Sequence, residues 1–516
     1  MWKAARPVIF ALSFAGLGLA AACGDDGEGA GNDGEGLYDA PSDFDRDGCG
    51  SGNPLDSIDP AGIWHLNAVF EGIDYSVTAM SIDPEGGDGQ FVALLFGGET
   101  DDVRLSAEDL FIRREVSIGG DERVFALDLC QVGGDGQLGG RIASCFGDEC
   151  IVGDVEAFPV APLDEPEAEN MTLVAEWEGA GGAWGDGLTL NVRHRGTVAY
   201  LARESDGLRI VDLADPAQPA DLGHLPAAFP PDEYYNDIKV AEAGDGRVYA
   251  YLGSNLRGVV VADVTDPTDP VEVATFPGPP DGGGAVNVHT LFTEGDRVYA
   301  AHTTIGGIEV YDVADPTSPA RLGTYVHPDV GSRGGYVHDL FVQDGVAYLN
   351  YWNLGLVVAD AAKDPGNPSV LGVFDDYDRR SSHSNWVTEA GGRRVAIHGD
   401  EDFDAHVRVI DVDPASSTAF QEIGAYQTRP AVSVHNIMAV GEIALVTYYQ
   451  DGLRVLDLAD PTGPVEIAHF ATWPGTRPEY GRSFFEGAIG VDHDSERELI
   501  LVADTNRGLL VLTLDR

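Results

Sequence analysis

Four histidines open short alternating runs at intervals of about 50 residues: His289 in "NVHTLF", His338 in "YVHDLF", His383 in "SSHSNW" and His435 in "SVHNIM". Neutral imidazole is a borderline-soft ligand, so imidazoles brought together at equivalent positions of a repeat could bind a transition metal. The competing role is structural, each ring bonding neighbouring backbone and tying one repeat to the next. Elsewhere the same position reads as Asn236 or Asp237 and as Glu486, which are still polar. Loops expected on the same end of the repeat add His302, Tyr351, Trp352, Asn353, His398, Asp400, Tyr448, Tyr449, Asp451, Asp504 and Arg507. A collection so rich in aromatic and ionisable groups is the expected binding face.

Other chemistry is sparse. The run "DFDRDG" places Asp43, Asp45 and Asp47 before Gly48, the opening of a calcium loop, but Pro54 stands where a bidentate glutamate would complete it. Nucleophile elbows, zinc-binding helices, Walker loops and Cys-x-x-Cys pairs are missing from the sequence. With 86 acidic residues, paired carboxylates occur at every spacing and none stands out as catalytic.

The 31 basic against 86 acidic residues give the 516-residue chain a formal charge of -55, a field that repels phosphate backbones and excludes nucleic acid as the expected partner. At the N-terminus, Lys3 and Arg6 precede an apolar run from Val8 to Ala22 and then Cys23, the three parts of a secretory signal. Cys49, Cys130, Cys145 and Cys150 remain, an even number in a chain expected to reach an oxidising compartment, and all three pairings are open. Residues 23–54, Gly-rich and acidic, read as a flexible spacer.

These residues need a scaffold, and the sequence divides into two kinds of one. Residues 55–160 alternate in short runs broken by Gly-Gly and Asp-Gly, which predicts a small antiparallel β-sandwich or barrel stapled by disulfides. Within it "GDGQLG" reads as a hairpin turn, since no helical pattern follows. Residues 161–169 read as a linker rich in proline and acid. Thereafter "GLRIVDLADPAQP" returns as "GVVVADVTDPTDP", "GIEVYDVADPTSP", "GLVVADAAKDPGNP", "HVRVIDVDPASS", "GLRVLDLADPTGP" and "GLLVLTLDR". In Asp-Pro-x-x-Pro the Asp bonds its own downstream backbone and the second Pro, lacking N–H, suits the start of an outer strand. Four strands per unit predict propeller blades. First strands near Leu188, Ile238, Val288, Val337, Ser384, Val434 and Ile489 make seven, and the last unit lacks its fourth strand. The segment 170–179, "NMTLVAEWEG", is expected to supply it and close the ring.

Two resemblances attach to these motifs. "LAAAC", ending at Cys23, resembles the lipobox of bacterial lipoproteins, with Leu19 one position further from the Cys than in the commonest form. This implies lipidation of Cys23, cleavage after residue 22, and an outer-membrane or cell-surface address reached through the lipid alone. The "GLRIVDLADP" units and the "VHDLFV" strands that precede them resemble LVIVD-repeat proteins, exported β-propellers of bacteria and archaea that are often surface-anchored. The expectation is therefore an all-β protein, a seven-bladed propeller at 170–516 behind a small β-domain, acting as a binding or scaffolding module for a surface protein or extracellular ligand. A metal-dependent hydrolase or oxidoreductase using the histidines is the alternative, and a calcium-dependent adhesin is a third.

Overall fold

The computed structural model describes residues 37–47, 49, 55, 58–70, 73–83, 92–95, 98–118, 121–147, 149–179, 188–230, 232–278, 284–476 and 483–515. The signal segment, Cys23 and most of the spacer lie outside them. The chain forms two compact units: one runs to Ala161 and includes 481–484, and the other holds the rest from Pro162 onward.

The first unit is a single antiparallel sheet whose nine described strands follow the chain as a meander, with Glu149–Val160 returning to pair with Gly62–Phe70. Only the neighbouring short strands Gly98–Glu99 and Asp102–Leu105 are not paired with each other. Alternate residues from both halves of the sheet, Trp64, Leu66, Met80, Leu95, Ile112, Leu127, Ile142 and Val155, share one core, so the sheet turns a single apolar face inward. Of the two expected forms, two stacked sheets are not what the pairing shows. Gly134–Gly136 is the turn of a hairpin. Cys145 and Cys150 are directly opposed across strands and bonded, and Cys49 is bonded to Cys130.

The spacer ends earlier than its composition predicts. The rings of Tyr38 and Phe44 meet at a tilt, 4.7 Å apart, and pack on Phe111, Ala126 and Ala143, because two aromatics in an acidic run still bury apolar area. Among the described residues, Asp43, Asp45 and Asp47 are not in a grouping whose ligand atoms lie within 4.8 Å of one another. Each is exposed, with Asp43 accepting from the Ala40 amide and Asp45 from the Asp47 amide.

The second unit is a seven-bladed propeller. Blades one to six run in chain order, with inner strands Thr189–Arg195, Tyr235–Glu242, Val288–Glu294, Val337–Gln343, Ser382–Ala390 and Ile437–Val440. The seventh combines Ala488–Asp494, Leu499–Asp504 and Gly508–Leu514 with Met171–Trp177 as its outer strand. Inner strands touch in cyclic order, and the seventh returns to the first. There the His194 amide and ring bond the Asp492 carboxylate at 2.7 Å, and Arg193 reaches the Val491 carbonyl at 3.1 Å.

The repeat has a local cause at each position. Third strands such as Gly452–Asp457 are buried almost throughout, since both faces meet neighbouring blades, and they read as near-continuous apolar runs. The Asp that ends the third strand accepts from the amide two residues on, as Asp212, Asp263, Asp312 and Asp457 do. The Asp of Asp-Pro repeats the device, as at Asp215, Asp266, Asp315 and Asp460. The second Pro then stands immediately before the outer strand in five of the seven blades, where its missing N–H leaves no ladder bond unmade, whereas Phe420 precedes the outer strand of blade five and Asn170 that of blade seven.

The presumed linker is part of this unit. Ala168–Glu169 pairs with Val465–Phe470 of blade six. Glu165 receives Arg454 at 2.6 Å, and Glu167 and Glu176 receive Arg507 at 3.2 and 2.8 Å, so the acids of this segment bind arginines of the last two blades.

Candidate functional site

Inner strands begin with a register shift, seen between Tyr235 and Asp237, Val337 and Asp339, Ser382 and Ser384, and Ala488 and Gly490. A residue left out of the ladder in this way is a bulge, which re-aims its side chain. Going round the ring, the equivalent positions are Leu190, Asn236, His289, His338, His383, His435 and Ile489. The position therefore belongs to Asn236 rather than Asp237 in blade two. In blade seven it is Ile489, not Glu486, which falls before the strand. Asp237 lies one residue deeper, fully buried, holding Lys239 and the Asn191 amide.

The four histidines form a continuous arc, with successive ring centroids 4.2, 4.1 and 4.3 Å apart. At the ends of the arc the structural role holds. Asn236 of blade two bonds His289 Nδ1 at 2.8 Å, and His435 Nδ1 meets the Ile489 carbonyl of blade seven at 2.6 Å. In the middle it does not: His338 Nδ1 and both ring nitrogens of His383 are buried with no hydrogen-bond partner, and these side chains are 4 % and 2 % exposed.

Facing the arc is Glu401, which the sequence reading missed. Its carboxylate lies 3.9 Å from His338 Nε2, 3.6 Å from His383 Nε2 and 3.8 Å from His435 Nε2, beyond hydrogen-bond length in every case. It accepts a bond from the Tyr449 hydroxyl. Tyr449 sits at φ +32°, in the left-handed region that costs a non-glycine residue about 1 kcal/mol. Glu401 immediately follows the second strand of blade five, in the register that Trp352 and Thr505 occupy in theirs, each amide bonding back to the segment before the inner strand. That shared register with Trp352 and Tyr449, both already singled out, was the available signal. Trp352 stacks on Tyr336 at 6.0 Å and stands 4.9 Å from the His338 ring, forming an aromatic wall.

Burial governs the electrostatics. It pushes His289 down to about 4 and His435 to about 3, the latter against its bond to the Ile489 carbonyl, and holds His338 and His383 well below the usual imidazole range with neighbouring rings adding to the effect. Burial also pushes Glu401 up to about 8, against the Tyr449 hydrogen bond and with Asp402 adding to the shift. The imidazoles are therefore neutral near pH 7, with nitrogen lone pairs available.

Most of the expected binding face is instead interior. His398, Asp400, Tyr351, Tyr448, Tyr449, Asp451, Asp504 and Arg507 are at most 2 % exposed. Their polar atoms serve the fold. His398 meets the Ser382 hydroxyl at 2.8 Å, and Asp400 takes the Tyr377 hydroxyl, the Ser381 amide and Arg408. Asp451 takes Arg429, Tyr351 receives the His327 amide, and Tyr448 donates to the Tyr426 carbonyl. Asp504 accepts the Asn506 and Arg507 amides, and His302 lies 3.5 Å from Glu309. Asn353 accepts Arg380 through its carbonyl. These side chains bond within a blade or to the adjacent one, and of the set Tyr449 and Trp352 reach the histidines. A second grouping, Cys49, Asp128 and Cys130, has its sulfurs joined in a disulfide and is not a ligand set.

A family model described as the LVIVD repeat matches residues 186–224 and 237–277, the first two blades. No curated protein matches the chain. Among solved structures, the computationally designed Ika8 protein aligns at 9% identity over 80% of this chain and 95% of its own, with a TM-score of 0.43. The WD40 β-propeller domain of Doa1 aligns at 10% identity over 67% and 97%, with a TM-score of 0.45. A Lactobacillus plantarum protein aligns at 16% identity over 61% and 87%, with a TM-score of 0.44.

Proposed function

We propose that this protein is an exported binding module, held to a membrane by a lipid on Cys23, whose propeller receives its ligand at the axial mouth formed by His289, His338, His383, His435 and Glu401. The single observation behind this reading is the unsatisfied polarity of the mouth. Here Nε2 atoms of adjacent buried imidazoles, His338 and His383, face one carboxylate across gaps of 3.9 and 3.6 Å, while His338 Nδ1 and both nitrogens of His383 have no hydrogen-bond partner. The LVIVD repeats fit such a binding or scaffolding role, and the lipobox-like "LAAAC" supports the anchor.

The mouth must be reachable from solvent for this to hold. Brief treatment of the folded protein with diethyl pyrocarbonate, followed by peptide mass spectrometry, is expected to modify His289 and His435 while the fully buried His398 stays protected. Protection of all of them alike overturns the binding reading. Cys23→Ala is expected to release the protein from the membrane fraction and abolish incorporation of a labelled fatty acid; retention of both dismisses the anchor.

A further inference from the structure

We propose that His338, His383 and Glu401, with His435 as the fourth ligand, bind one divalent transition-metal ion of the zinc and copper class. This rests on the mouth being the ligand-binding place and names what it takes.

Spacing is the first argument. His338 and His383 Nε2 stand 3.9 and 3.6 Å from one oxygen of Glu401, and His435 Nε2 stands 3.8 Å from its other oxygen. That is too far for hydrogen bonds and too close for an intervening shell of water. Metal bonds of about 2.0–2.2 Å place two ligand atoms roughly 3.0 Å apart at a right angle and about 4.2 Å apart across the ion. The observed gaps lie inside that range. The ligand atoms of His338, His383 and Glu401 are all within 4.8 Å of one another, so small side-chain movements would bring them onto an ion.

The second argument is the unmade bonds. A buried polar atom without a partner costs about 1–3 kcal/mol, and His383 carries two of them. An ion accepting the His383 Nε2 lone pair removes one of the two.

The surroundings supply the third. The Ile489 carbonyl accepts from His435 Nδ1–H, which fixes the tautomer that leaves the Nε2 lone pair directed towards Glu401. Tyr449 donates to the same carboxylate and orients it. Hydrogen bonds of this kind, placed behind each ligand, are what metal sites use to fix orientation and basicity. His289 has its Nδ1 engaged with Asn236 and acts as a wall of the site rather than a ligand. The donor set decides the class of ion: imidazoles with one carboxylate suit zinc and copper, whereas calcium and magnesium take oxygen ligands.

The test uses the full chain purified without a polyhistidine tag, stripped with chelator, and titrated calorimetrically with zinc sulfate and with copper sulfate. One equivalent is expected to bind, cobalt to give a ligand-field spectrum containing nitrogen donors, and copper to quench Trp352. His383→Ala and Glu401→Gln are each expected to weaken binding by about 100-fold and Tyr449→Phe by about 10-fold, while His302→Ala leaves it unchanged. Absence of saturable binding by the folded protein overturns the proposal. So does binding undiminished in the nearly isosteric Glu401→Gln variant, which decides the matter if His383→Ala fails to fold. If diethyl pyrocarbonate reaches the rings and no metal binds, the metal assignment alone falls; if the rings are sealed, the binding reading falls with it.

Discussion

At the scale of the residue, burial without ionisation is the main constraint on the interior of this propeller. His398 is the clearest case: fully buried, bonded to the Ser382 hydroxyl, and pushed down to about 4 by burial, with Asp400 opposing and Arg408 adding to the shift. Its folded-state value is below its unfolded one, so the unfolded chain takes up a proton below pH 6.5 that the folded chain refuses. Stability from this group is present above 6.5 and is lost as pH falls towards about 4, at about 1.4 kcal/mol for each pH unit. His398→Gln, which can still bond Ser382, is expected to show a shallower fall in melting temperature between pH 6.5 and 4.5 than the unaltered protein. Equal slopes would mean that His398 titrates freely. The four mouth histidines were legible because a repeat displays a recurring residue type as a pattern. Glu401 was missed because its register carries Trp352 in one blade and Tyr449 in another, so that it could be found by position after the second strand but not by a recurring residue type.

Among the elements, the glycine that opens the third strand in every blade but the fifth, where Val407 stands, shows how closely strand and turn depend on each other. A Cβ on Gly207, Gly258, Gly355 or Gly452 would stand 2.1 to 2.5 Å from the carbonyl oxygen that ends the outer strand of the same blade. Gly508 meets the Trp177 carbonyl in the same way, at 2.2 Å and φ +82°. Met171–Trp177 thus occupies the outer place of blade seven with the geometry that the other blades achieve within one stretch of chain. Gly508→Ala is expected to lower stability by about 1–3 kcal/mol through strain and clash. Gly463→Ala, where a Cβ meets open space, should leave it nearly unchanged. Equal melting temperatures for the two variants would count against this closure. The blades were readable because Asp, Pro and Gly each answer a fixed backbone demand at a fixed place. The bulges that turn the histidines inward were hidden, since any residue can be the extra one, and Glu165 and Glu167 resembled a linker because their arginine partners lie about three hundred residues away.

For the molecule as a whole, a formal charge of -55 makes self-repulsion a standing cost of the compact state. Raising sodium chloride from 10 mM to 0.5 M contracts the screening length from about 30 Å to a few ångströms, and the melting temperature is expected to rise. A fall would mean that ion pairs such as Arg507 with Glu176 outweigh the repulsion. The closing strand has a consequence in time as well. Met171–Trp177 leaves the ribosome before any blade exists, and the edge it fills, Gly508–Leu514, emerges after all six earlier blades. A chain halted short of Leu514 therefore keeps two unmatched sheet borders, open to any protease or to a sister molecule's spare strand. Arrested translation products are therefore expected to be cleared or to become entangled.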